Sequence, residues 1–258
     1  MPDTPRDIKL AISGTYSTGK STTTEALSIA TGIQRTHALT SREILIDLVP
    51  GKTVMELNSF ELIKLGLRRL EERIHNEANV GSFISDGSVI HEWVYGEARM
   101  RTGINPGADW KLRLIKKAVG INQRRFHQRY QDVYGDIVKD RAKRLYDGYV
   151  HLPVEFDMKE DGHRPVSEPF RRLSDELLIE AIEEIGVPYI VARGSVRERL
   201  DTIISHYNLP VVIPVEEAIA TAKERVSSAI EVLEKDSRFH EAQRKKSPLR
   251  QLQWAIRY

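Results

Sequence analysis

Hydrophobic and polar positions fall along this chain in blocks that alternate between a strand-like and a helix-like pattern. The apolar run Ile8-Lys9-Leu10-Ala11-Ile12-Ser13 opens the first block, and a helical segment from Ser21 to Thr31 follows it. Gly32 to Leu39 predicts a second, weak strand. Ser41 is expected to cap a helix from Arg42 to Leu48, which Pro50-Gly51 stops. From Ser59 to Asn79, Phe60, Ile63, Leu67, Leu70 and Ile74 recur at three and four and predict an amphipathic helix with that row as its apolar side. Ser82-Phe83-Ile84-Ser85 then reads as a third strand, closed by Asp86-Gly87-Ser88.

Glu92 to Thr102 reads as helical and ends at Gly103-Ile104-Asn105-Pro106-Gly107. Asp109 to Lys143 is a second helical stretch, with Leu112, Ile115, Val119, Phe126, Tyr130, Val133 and Ile137 on its apolar side. Asp147 to Pro153 predicts a buried fourth strand ended by proline. A polar loop at Glu160-Asp161-Gly162-His163-Arg164-Pro165 precedes a helix from Ser174 to Ile185 with Gly186 as its stop. Pro188 to Ala192 is the fifth strand, and a Ser195-capped helix runs to His206. From Pro214 a helix carries Ile219, Ala222, Val226, Ile230 and Leu233 at helical spacing. Strands alternating with helices imply a mainly parallel five-stranded sheet covered on both faces, an α/β fold.

Composition narrows the class. The 258 residues, 40% of them hydrophobic, suit one large α/β domain with an appendage. Lys plus Arg number 39 against 37 Asp plus Glu, a net charge of +2, so overall charge directs the chain to neither nucleic acid nor membrane. Without cysteine there is no disulfide framework and no thiolate metal site. No apolar run approaches a membrane span, and the start MPDTPRDIKL lacks the apolar core of a signal peptide, so a soluble cytoplasmic protein with no membrane partner is expected.

Chemistry enters at Gly14-Thr15-Tyr16-Ser17-Thr18-Gly19-Lys20-Ser21, a complete G-x-x-x-x-G-K-[ST] phosphate loop between a strand and a helix. Glycines let the backbone turn its amides toward phosphate oxygens, and the next helix presents its positive end. Residues Gly14 to Thr22 are therefore the expected nucleotide-binding segment, with Lys20 reaching the β- and γ-phosphates and the Ser21 hydroxyl on Mg²⁺. Asp86, acidic at the end of a neighbouring strand, is the second expected Mg²⁺ group.

These motifs together resemble the ribosylnicotinamide kinase domain of bacterial NAD regulatory proteins, with the small phosphate-loop nucleoside kinases and AAA-like ATPase domains grouped with it. The likeness spans residues 8–205 and rests on four places. They are the loop Gly14 to Thr22; the pair Arg42-Glu43; the strand Phe83-Ile84-Ser85-Asp86; and Glu160-Asp161-Gly162-His163-Arg164 followed by a helix and Gly186-Val187-Pro188-Tyr189-Ile190. The resemblance implies a three-layer phosphate-loop NTPase fold and a lid, residues 157–173, whose Arg164 closes over the transferring phosphoryl group with Arg171 or Arg172 assisting. It implies that Gly194-Ser195 borders the adenine. Leu39 stands where those kinases carry a glutamate, and residues 87–146 form a helical insertion, the acceptor region, longer than the family core needs. The kinase domain is expected over residues 1–210, with 211–258 a basic helical extension.

The expected activity is transfer of the γ-phosphate of ATP, with Mg²⁺, to a hydroxyl of a small nucleoside-like acceptor; Lys20, Asp86 and Arg164 are the catalytic residues. ATP is the expected donor, with GTP as the alternative; no Asn-Lys-x-Asp guanine signature is present. Asp86, His37, His91, Glu92 and Glu43 are alternatives for the general base. A kinase of nucleic acid would use the basic segments 111–144 and 235–258, the latter with Trp254 and Tyr258 among its charges. A regulatory ATPase acting on a protein partner is the third activity, although no Walker B of four apolar residues and Asp-Glu is found. The C-terminal helix is also an expected surface for a homodimer.

Overall fold

A computed structural model of the chain describes residues 7–52, 54, 57–78, 80–102, 121–155 and 168–242. Five strands, β1 (Lys9–Ser13), β2 (Gln34–Thr36), β3 (Phe83–Asp86), β4 (Gly148–His151) and β5 (Tyr189–Val191), form one parallel sheet in the order β2-β3-β1-β4-β5. Eight helices connect or flank them among the described residues: α1 (Lys20–Thr31), α2 (Ser41–Leu48), α3 (Ser59–Ala78), α4 (Ile90–Thr102), α5 (Ile121–Leu145), α6 (Glu168–Ile185), α7 (Val196–Tyr207) and α8 (Val215–Ala242).

Both sheet faces are covered, and the central strands carry consecutive buried apolar residues, Leu10-Ala11-Ile12 in β1, Phe83-Ile84 in β3 and Tyr149-Val150 in β4. Along β1, Leu10 and Ile12 point into a core shared with Leu27 of α1, Leu200 of α7 and Ile219 of α8. Ala11 points the other way, into a core with Val94 of α4, Val138 of α5 and Leu178 of α6. Leu10, Ile12 and Leu27 are fully buried, and each such side chain contributes about 1.5–3 kcal/mol relative to exposure. A third cluster, Ile44, Leu45, Leu57 and Leu65, joins α2 to α3. The expected α/β fold with a parallel five-stranded sheet is the one observed.

The first half of α8 belongs to this core, since Ala218 and Ala222 are fully buried against α1. From Ser227 to Val232 every residue is exposed. Among the described residues no helix is long and apolar enough to cross a membrane.

Four elements differ from expectation. Helix α6 begins at Glu168, inside the segment 157–173 expected as the lid, and not at Ser174. Thr40, not Ser41, caps α2: its hydroxyl accepts from the Glu43 amide while the Glu43 carboxylate accepts from the Thr40 amide, a reciprocal capping box. Helix α3 exists where predicted, but Phe60 and Leu67 of its predicted apolar row are exposed, and its buried positions are Leu65, Arg73 and Glu77. On α5, Phe126, Val133 and Ile137 are exposed, whereas Gln131, Tyr134, Val138 and Ala142 face inward. The side-chain amide of Gln131 fills the space beside Gly96 of α4, where an added Cβ would meet its nitrogen at 1.8 Å, and Trp93 donates to the Gln131 carbonyl at 3.0 Å. Close approach to α4 thus fixes the rotation of α5 against its apolar periodicity. The predicted helical segment 109–120 lies outside the described residues.

Candidate active site at the carboxyl ends of the strands

Strands β1 and β3 are neighbours in the sheet although the chain visits β2 between them, so the carboxyl ends around β1 form a topological switch point, where open α/β sheets bind ligands. Ser13 ends β1 there, and the phosphate loop turns across to α1. Gly14 has φ +136°, and a Cβ on it would lie 2.5 Å from the Leu152 carbonyl oxygen. Gly19, at φ +83°, is the N-cap of α1. Replacing Gly14 with alanine is expected to destabilise the domain by about 1–3 kcal/mol, because the conformation and the clash are both unfavourable; urea denaturation measures it.

The loop's carbonyls are held from outside. Lys20 Nζ donates to Thr15 O at 2.7 Å, and Thr18 Oγ1 donates to the same oxygen at 3.0 Å. Arg171 of α6 donates through Nε to Tyr16 O at 3.0 Å, and Arg199 of α7 donates to Thr18 O at 2.6 Å. In a trans peptide the next amide points opposite to the carbonyl, so anchoring Tyr16 and Thr18 outward turns the Ser17 and Gly19 N–H groups inward. An inward-facing row of amides at a helix N-terminus is an anion cradle. Arg171 and Arg199 are 0% and 1% exposed, the largest fully buried side chains among the described residues. The resemblance pointed to Arg171 only as an assistant of the lid arginine; here it braces the loop. Arg199 was not anticipated at all. One arginine in a helix rich in charge carries no local signal of burial.

On the other side of α1, Asp86 at the end of β3 accepts a hydrogen bond from the Ser21 hydroxyl. Arg35 of β2 pairs with its carboxylate at 2.6 Å. Burial raises the Asp86 carboxyl, but the Arg35 and Lys20 charges and the hydrogen bonds from Arg35 and Ser21 outweigh it and hold it below the ordinary Asp value. Ser21 and Asp86, two hard oxygen donors beside the cradle, suit Mg²⁺, which takes one or two protein oxygens and completes its shell with phosphate and water. Among the described residues no group of three or more His, Asp or Glu side chains forms an all-protein metal site. Thr22, half-buried, follows in the first turn of α1.

Next to Tyr16 lies a second group. Tyr16 stacks on Tyr95 of α4 with centroids 4.6 Å apart, and both lie near Phe170 of α6. Arg69 of α3 binds Glu92 of α4 at 2.5 Å and the Leu39 carbonyl at 2.7 Å. Arg69 thus links the Glu92 carboxylate to the Leu39 carbonyl. Of the other general-base alternatives, Asp86 is the metal-side carboxylate, and Glu43 and His91 are engaged within the fold. Glu43 closes the α2 capping box. His91 is 4% exposed and its Nδ1 accepts from the Ser88 amide at 2.9 Å; burial, with the Lys20 and Arg73 charges, pushes its pKa well down. Burial and the Arg35 charge also lower His37.

Behind β3, Arg73 donates to Ser85 Oγ at 2.7 Å and to the Asp86 carbonyl at 3.1 Å. Glu77 accepts from Ser85 at 2.8 Å and from Tyr146 at 2.9 Å. This buried network fixes the strand end from which Asp86 projects. Arg164 and the lid up to residue 167 lie outside the described residues, as do segment 111–120 and residues 243–258 with Trp254 and Tyr258. Of the basic residues of α5, Lys139 pairs with Glu184, Arg144 with Asp140, and Arg141 lies 3.9 Å from Glu77.

Three solved structures share this fold. A deoxyadenosine kinase from M. mycoides with bound dATP superposes with TM-score 0.55 at 16% identity, covering 78% of this chain and 100% of that one. The same kinase with bound dCTP gives TM-score 0.52 at 17% identity, covering 78% and 99%. A NadR protein in complex with NR gives TM-score 0.53 at 13% identity, covering 81% of this chain and 54% of that one. At these identities the likeness is one of fold, the three-layer phosphate-loop fold that the resemblance led us to expect. No curated protein matches the sequence. The profile of an AAA domain family matches residues 9–199, from the first residue of β1 to the arginine that braces the loop, and the chain belongs to that family.

Proposed function

We propose that the chain is an ATP- and Mg²⁺-dependent phosphotransferase acting on a hydroxyl of a small, nucleoside-like acceptor. The observation that carries the reading is the juxtaposition, at one switch point, of an inward-turned phosphate loop, the Ser21–Asp86 pair and the separate Tyr16–Arg69–Glu92 group. One side suits a triphosphate and the other an acceptor. Phosphoryl transfer asks chiefly for positioning and for neutralisation of charge on the equatorial oxygens.

The loop amides of Gly14 to Thr22 cradle the phosphates, and Lys20 leaves the Thr15 carbonyl for the β- and γ-phosphate oxygens. Mg²⁺, held by Ser21 and Asp86, would supply further neutralisation of phosphate charge. The acceptor oxygen attacks the γ-phosphorus; its new O–P bond forms as the bond to the β–γ bridging oxygen breaks, and ADP departs with that electron pair. Glu92, oriented by Arg69, takes the hydroxyl proton. Arg164 closes from the lid.

The test is ADP release by purified protein with ATP and Mg²⁺, alone and with pooled nucleosides, nucleotides or short oligonucleotides. Turnover should rise with the nucleoside pool. A rise with oligonucleotides alone would mean a nucleic-acid kinase, and turnover indifferent to every pool yet dependent on Lys20 would mean an ATPase with a protein partner.

A further inference from the structure

The carboxylate assigned to the metal side is already held by a cation. Arg35, in the middle of the edge strand β2, places its two terminal nitrogens on two different acids: Nη1 lies 2.9 Å from Glu25 Oε2 and Nη2 lies 2.6 Å from Asp86 Oδ2. Glu25 uses its other oxygen, Oε1, for Arg225 of α8 at 2.9 Å. The result is one row of charges, Arg225–Glu25–Arg35–Asp86, in which no oxygen or terminal nitrogen serves twice. Glu25 stands four residues after Ser21 on α1, so it lies on the same helix face one turn beyond the metal-side hydroxyl. The Glu25 and Asp86 side chains are 12% and 11% exposed, where solvent screens charges weakly.

We infer that Arg35 is the resident counter-ion of Asp86, a positioning residue, and that divalent-cation binding at Ser21 and Asp86 is coupled through Arg35 and Glu25 to the C-terminal helix. The inference rests on the phosphotransferase reading above. Before nucleotide arrives, Arg35 spares a nearly buried carboxylate from standing unpaired, which would be costly. A divalent cation reaching Asp86 meets the positive charge of Arg35 at close range. Glu25 relieves that repulsion, because it offers Arg35 a second carboxylate on which to settle. Arg225 opposes the shift, since it competes for Glu25. The free protein therefore takes up divalent cation poorly, and the cation arrives with the triphosphate, whose negative charge offsets Arg35. The C-terminal helix thereby acquires a hold on the metal side without touching it.

The experiment titrates full-length protein with Mn²⁺ in the presence of saturating ADP, reading bound metal by electron paramagnetic resonance, and measures metal-free ADP affinity alongside. Removing a positive charge beside the site should tighten Mn²⁺ binding by about tenfold in Arg35→Gln. Glu25→Gln should weaken it several-fold. Arg225→Gln, at an exposed residue whose loss leaves the core intact, should tighten it by about twofold. In all three, metal-free ADP affinity should change less than Mn²⁺ affinity and in the opposite direction, since the phosphates are attracted to the charge that repels the cation. Unaltered or weaker Mn²⁺ binding in Arg35→Gln overturns the counter-ion role, and identical affinities in wild type and Arg225→Gln overturn the coupling to the helix. A wild-type protein that binds Mn²⁺ and ADP while the variants show no such ordering refutes this inference alone. One that binds no ADP refutes the phosphotransferase reading and the inference with it.

Discussion

Lys20→Ala is expected to lower turnover by about 10²–10³-fold, the usual cost of removing one preorganised charge-stabilising group. The ammonium sits inside the loop, on the Thr15 carbonyl at 2.7 Å. From there a rotation of its flexible stem carries it to phosphate, while the backbone that places it is held by Arg171 and Arg199. Deleting the amine removes charge without removing those braces. The thermal midpoint should therefore move little while kcat collapses. ADP-release kinetics and a melting curve on the same preparation check both halves. Full turnover in the variant would mean that the triphosphate is handled somewhere other than this loop.

A stability effect of comparable weight is expected from Glu77→Ala, a loss of about 3–5 kcal/mol, because it strips the partner from a buried charge. Arg73 is 5% exposed and lies 3.7 Å from Glu77; without the acid its guanidinium keeps only neutral acceptors, Ser85 and the Asp86 carbonyl. Tyr146 loses its acceptor too, and a buried phenol without a partner adds to the cost. Such a loss is a large part of the roughly 5–15 kcal/mol that holds a domain folded. Glu77→Gln also removes the charge but keeps an acceptor for Ser85 and Tyr146, so it should fall short of the alanine loss by the share of those hydrogen bonds alone. Urea denaturation of both variants separates charge pairing from hydrogen bonding. Equal losses would mean that the hydrogen bonds contribute nothing beyond the charge pairing.

The two predictions differ in how far they were visible in the sequence. Lys20 belongs to a motif whose spacing is set by local backbone geometry, since two glycines, a lysine and a hydroxyl must follow one another within a single turn. Asp86 was readable because it closes an apolar run after a strand–helix–strand rhythm. Glu77 and Arg73 were unreadable: the α3 periodicity assigned burial to Phe60 and Leu67 and left these two as surface charges. Helix α3 instead packs its polar face against the hydroxyl-lined end of β3, where Ser85 and Tyr146 supply partners. Glu92 gained its place in the same way, through an arginine on α3 that reaches both it and the Leu39 carbonyl.

By itself, then, the sequence determined the sheet of five parallel strands, the phosphate loop and the acid on the neighbouring strand, because alternation and loop chemistry act over a few consecutive residues. Only the tertiary structure decided which of 39 basic residues became structural. Arg199 braces Thr18 from 181 positions away, and Arg225 reaches Glu25 across 200. A charge shows no sign, in its own neighbourhood of sequence, of the distant carbonyl or carboxylate that makes its burial favourable. That partner exists only after the sheet has brought the elements together.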